Sequence, residues 1–243
     1  MAAPRYAIYF APPPHSPWWE FGTRWLGRDE VSKAARAQPC VAGIDTPRLH
    51  VLTAAPRRYG FHATLKAPFR LRPVIDETAL LARVRALAAR LRPVMLTPLI
   101  ARRIDGFVAL MPDTVPPRLA EIEAACVTEL DDLRAPLTET ELAARRAAGL
   151  DARAEELLAR YGYPHVLDRF RLHFTLTDRI GEAEAALVCD AVRDLVQHLN
   201  NTAALMLDRL CVFVEPQLGR DLLRVTDAAL GVTCHRQRGA GET

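Results

Sequence analysis

The chain has 243 residues, half of them apolar, and its 32 basic and 29 acidic side chains leave a net charge of +3. That length and apolar share suit one large domain or two close lobes and exclude a disordered chain. The near balance of charge excludes the global commitment to nucleic acid of a strongly basic domain, so any affinity for phosphate has to be local.

Arg5 to Phe10 reads as a strand stopped by Pro12-Pro13-Pro14. It is too short for a signal segment or a membrane span, and no later stretch approaches the roughly 18 apolar residues a span needs. Ser16 caps a helix that has Pro17 in its first turn and runs to about Gly27. A short helix is expected from Asp45 toward Thr53, then a strand from about Gly60 to Lys66, ended by Pro68. Asp76 to Arg92 has Leu80, Val84, Leu87, Ala88 and Leu91 at helical spacing. Val94 to Ile104 and Phe107 to Met111 are strands joined by Asp105-Gly106, a dipeptide suited to a tight hairpin.

Residues 115 to 161 contain no convincing strand and read as a helical insert, with a capping box at Thr138 and Glu141, a stop at Gly149 and a new start at Asp151. The second half repeats the earlier order: a strand holding His173, a helix from about Glu182 to Leu199, then strands at Leu205 to Val214 and Leu222 to Val225. This is an α+β chain. The expected architecture is two pseudo-symmetric lobes around a central cleft, each an antiparallel sheet packed by helices. They form one bilobal domain over 1–233, with halves of about 1–112 and 162–233, the insert at 115–161 and a frayed tail at 234–243. The cysteines, Cys40, Cys126, Cys189, Cys211 and Cys234, are odd in number and lack C-x-x-C spacing, which points to a reduced, cytoplasmic protein without a disulfide framework or thiolate zinc site.

Two short phrases carry the chemistry. His62-Ala63-Thr64-Leu65 returns 111 residues later as His173-Phe174-Thr175-Leu176. On a strand, side chains alternate, so His62 and Thr64 share one face while Phe61, Ala63 and Leu65 take the other. In the second copy His173, Thr175 and Thr177 oppose Leu172, Phe174 and Leu176. One His-x-Thr on a strand is ordinary; two, each followed by an amphipathic helix, point to a shared site. Two imidazoles and two hydroxyls across a cleft suit proton transfer at an anionic phosphoryl centre. Lys66, Arg58 and Arg171 stand where charge-assisted hydrogen bonds to phosphate would form. Tyr163 is a candidate ligand contact, while Tyr6, Tyr9 and Trp18 either stack on a ligand or fill the core. No His-x-His or H-E-x-x-H spacing suggests a metal.

The segments around the motifs, Arg57 to Phe69 and Phe170 to Thr177, resemble the 2H phosphoesterase superfamily, whose fold is also called LigT-like. Within it they are similar to the DUF1045 family of phosphonate-metabolism proteins. Arg5 to Pro14, Gly162-Tyr163-Pro164 and Val212 to Pro216 extend the resemblance, and His165 departs from it where an aromatic is expected. The resemblance implies a metal-independent phosphoesterase without a cofactor, opening a cyclic phosphate or related phosphodiester between His62 and His173, with Thr64 and Thr175 on the developing charge. By analogy His62 is the acid and His173 the base, which gives a bell-shaped pH profile. The expected partner is a small phosphorylated molecule, a cyclic nucleotide or ribose phosphate, with an RNA end as the alternative. A non-catalytic nucleotide- or RNA-end-binding module on the same fold is the competing function.

Overall fold

Most α-helix starts among the described residues are set by side-chain caps that satisfy amides the first turn leaves unpaired. In the computed structural model, which describes residues 3–147 and 149–231, Ser16 Oγ accepts from the Trp19 amide at 3.3 Å and opens α1 (Pro17–Leu26). Asp45 caps α2 (Thr46–Leu52), and a further short helix, α3 (Ala54–Tyr59), follows it without a side-chain cap. Asp76 caps α4 (Glu77–Ala88). The insert contains α5 (Leu119–Glu129), α6 (Glu139–Arg146), which has the expected capping box, and α7 (Ala152–Tyr161), capped by Asp151. The long helix α8 spans Glu182–Thr202. No helix among the described residues is long and apolar enough to cross a membrane. The expected frayed tail lies outside the described residues.

The strands are β1 (Arg5–Phe10), β2 (Ala63–Arg70), β3 (Val94–Met95), β4 (Leu99–Ile104), β5 (Phe107–Pro112), β6 (Phe174–Thr175), β7 (Met206–Leu207), β8 (Arg209–Glu215) and β9 (Leu223–Ala229). The α+β class is as expected, but the sheet arrangement is not. A single seven-stranded sheet runs β4-β5-β6-β2-β1-β8-β9, with β3 and β7 paired apart from it. The sequence halves exchange strands: β6 of the second joins β4 and β5 of the first, and β8 and β9 of the second join β1 and β2. The first motif strand also starts later and runs through Pro68. The β1–β2 register skips between Tyr6↔Phe69 and Ile8↔Lys66, and this bulge accommodates a residue with no amide to donate.

Alternation along β1 divides the interior. Tyr6, Ile8 and Phe10 enter the main core, while Ala7, Tyr9 and Ala11 form a smaller cluster with Phe213 on the other face. In the main core the Phe61 and Phe174 rings, each adjacent to a motif histidine, stack with centroids 5.0 Å apart. Phe21 of α1 meets Phe61 edge-on at 5.7 Å. Tyr6 and Trp18 belong to this core, with the Tyr6 hydroxyl bonded to Glu77 and the Trp18 indole to the Ala203 carbonyl.

Gly22 makes that packing possible, because a Cβ built there would fall 2.0 Å from Phe61 Cγ. Helix propensity alone favours alanine over glycine by about 1 kcal/mol, but forced overpacking costs about 1–3 kcal/mol. Gly22→Ala is therefore expected to lower the urea midpoint, and an unchanged or raised midpoint would contradict the close α1–Phe61 contact.

Candidate active site

The first motif is delivered by a turn. Gly60 ends α3 with φ 78°, and a Cβ on it would sit 2.8 Å from Glu30 Cβ, so glycine is required on both counts. The turn buries Phe61 and leaves His62 on the opposite face. His62 Nδ1 lies 2.9 Å from the Gly60 carbonyl; a carbonyl only accepts, so Nδ1 carries the proton and Nε2 keeps its lone pair. Thr64 Oγ1 is 3.4 Å from that Nε2, and the Tyr9 ring stacks on the imidazole at 3.9 Å. The second motif repeats the device, with His173 Nδ1 donating to the Arg171 carbonyl at 2.7 Å. β2 and β6 pair antiparallel through Ala63↔Phe174. Continuing that register sets His62 across from Thr175 and Thr64 across from His173. The four side chains line one cavity of about 500 Å³.

Burial pushes the His62 pKa down to about 4, with the Gly60 carbonyl opposing the shift and His173 adding to it. Burial also lowers His173, against the pull of the Arg171 carbonyl. Both imidazoles are thus neutral at pH 7 in the protein by itself. This corrects the expectation of a ready imidazolium acid at His62: a proton there requires an anion beside it.

The other expected residues divide. Arg171 lines the cavity and is paired to Asp105 at 2.5 Å; Tyr163 and His165 line it as well, with their rings edge to face. Thr177 also lines the cavity, but its hydroxyl accepts from the Val108 amide and donates to the Asp178 carbonyl. Lys66 is not an open phosphate ligand. It is buried beneath α5 and donates to the Val127 carbonyl and to Asp131 at 3.0 Å. Arg58 is also removed, because it sits on α3 rather than on the strand and donates to Glu215 and the Arg220 carbonyl.

The sequence reading missed Tyr59, Glu123, Arg145, Arg169 and Arg179, all of which line the cavity. Glu123 is buried, which raises its pKa to about 7, and it accepts from the Leu167 amide at 3.1 and 3.2 Å. Leu167 has φ 54°, so the carboxyl anchors a left-handed residue in the segment leading to the second motif. The only trace of this in the sequence is an acid within the apolar run of α5. Among the described residues no group of three or more His, Cys, Asp or Glu is placed to hold a metal.

Residues 64–223 match the family described as "Protein of unknown function (DUF1045)". The chain belongs to that family. It is also 42% identical over 218 residues to a Janthinobacterium sp. (strain Marseille) protein named "Ribose 1,5-bisphosphate phosphokinase PhnN", covering 88% of this chain and 48% of that one. A Laribacter hongkongensis (strain HLHK9) protein of the same name is 38% identical, over 88% of this chain and 49% of its own. The chain spans about half the length of these curated relatives. Their names correct the expected activity: they denote a kinase, not a hydrolytic cyclic phosphodiesterase, and the expectation of a phosphoester hydrolase is withdrawn.

The depressed histidine has a consequence for stability. An unfolded histidine titrates near 6.5 and His62 near 4, so between these values the unfolded chain binds more protons and stability falls as pH falls through the window. Allowing for the partial exposure of the ring, the wild type is expected to lose about 2 kcal/mol more than His62→Gln between pH 7 and pH 4. Paired urea titrations measure the difference, and equal losses would show that His62 titrates normally.

Proposed function

We propose that the cleft of this DUF1045 protein binds a phosphorylated ribose and that His62 and His173 take up protons to pair with its phosphate. The observation that carries this reading is the pair of imidazoles whose Nδ1 atoms are pinned to backbone carbonyls, leaving two Nε2 lone pairs on one cavity wall beside Thr64 and Thr175. The substrate class comes from the relatives' name. The sequence contains no Gly-Lys pair and hence no G-x-x-x-x-G-K-[ST] loop, so the reading takes over the sugar phosphate and not a nucleotide-gripping site.

When a phosphate dianion settles beside it, each neutral Nε2 takes up a proton from solvent, and the resulting imidazolium donates a hydrogen bond to a phosphate oxygen. Thr64 and Thr175 donate hydrogen bonds to the phosphate oxygens, while Arg171 at the rim stays balanced by Asp105. The resemblance to the 2H superfamily supports the placement of the two histidines, without its hydrolytic chemistry.

Calorimetric titration with ribose 5-phosphate and ribose 1,5-bisphosphate tests this. A bound phosphate dianion raises both imidazole pKa values, so the complex takes up protons near pH 7 and binds more tightly as pH falls from 8 toward 6.5. Replacing both histidines by alanine is expected to weaken binding at least tenfold, about 1.4 kcal/mol, and to abolish the proton uptake. Absence of binding by the wild type, or equal binding by the double variant, would sink the reading.

A further inference from the structure

The arginines of the cavity are not equivalent. Arg5 donates to Glu215, Arg169 to Asp151 and Arg171 to Asp105. Among the described residues, Arg145 has no carboxylate or carbonyl acceptor. Arg179 is similarly unpaired, but it is exposed beside the Asp105-Gly106 turn, whereas Arg145 is partly buried with its guanidinium 5.2 Å from the centre of the Tyr163 ring. Burial without a partner lowers its pKa, so holding the cation there has a cost that a bound anion would offset.

The helix that carries it has no other evident task. α6 contributes no buried residue and is held by ion pairs, Arg70 with Glu141 and Arg146 with Glu155, as well as by its capping box. Such a helix adds little to the core but sets Arg145 at the cavity wall. Tyrosines connect the histidine pole to Arg145: Tyr9 stacks on His62, and Tyr59 and Tyr163 lie near both Tyr9 and Arg145. A cavity of about 500 Å³ has room for more than one phosphate group.

We propose that Arg145, presented by the helical insert, holds a second anionic group of the ligand, so that the cleft selects a pentose carrying two phosphates over one carrying a single phosphate. This rests on the reading that the cleft binds phosphorylated ribose. One phosphate sits between the two His-x-Thr motifs, and the other pairs with the guanidinium, which Tyr163 orients through its ring face.

The test is the ratio of dissociation constants for ribose 5-phosphate and ribose 1,5-bisphosphate in wild type, Arg145→Met and Arg145→Lys, at one fixed salt concentration, with thermal melts confirming that each variant folds. The wild type is expected to bind the bisphosphate at least tenfold more tightly. Arg145→Met reduces the ratio to about twofold, and Arg145→Lys retains an intermediate preference. A wild type that binds both sugars with a ratio unmoved by Arg145→Met overturns this proposal alone. A wild type that binds neither sugar overturns the phosphorylated-ribose reading and this proposal with it.

Discussion

Everything at the site depends on one short strand contact, the antiparallel pairing of Ala63 with Phe174. Among the described residues it is the only residue pair in register between β2 and β6, yet it joins the two parts of the sheet and fixes the histidines relative to each other. The pairing is held from beneath, where Phe61 and Phe174 stack and Phe10 and Phe21 close around them. Side chains alternate across a strand, so apolar packing on the buried face leaves the imidazoles and hydroxyls on the other.

The site is then tuned by desolvation more than by charge. Both histidines donate through Nδ1 to carbonyls two residues upstream, which sets their tautomer, and both are buried enough to stay neutral. The basic side chains around them are mostly neutralised: Arg5 by Glu215, Arg169 by Asp151 and Arg171 by Asp105. A cleft rich in arginine is thus less cationic than its composition suggests, and an incoming phosphate meets hydrogen-bond partners whose protonation it can change.

The expected residues that reach the cavity and those that do not differ in a physical way. His62, Thr64, His173 and Thr175 were legible because a period of two is local and each motif carries its own apolar face. Lys66 follows the same alternation and was placed with them, but α5 covers it and Asp131 pairs with it, and both belong to an insert more than 50 residues further along. Arg58 was misplaced because the residues before Gly60 form a helix rather than an early strand. Arg145 was indistinguishable among 30 arginines, since being without a carboxylate is a property of neighbours and not of the residue.

By itself, the sequence determined most of the element types, the caps and hairpin, the α+β class and the two His-x-Thr faces, because capping, turn chemistry and alternation act over a few residues. Only the tertiary structure decided that the halves exchange strands into one sheet, that both imidazoles are neutral, and which cations remain without a partner at the cleft. Those outcomes depend on strand pairing, burial and charge pairing between residues far apart in the chain, and no local pattern records them.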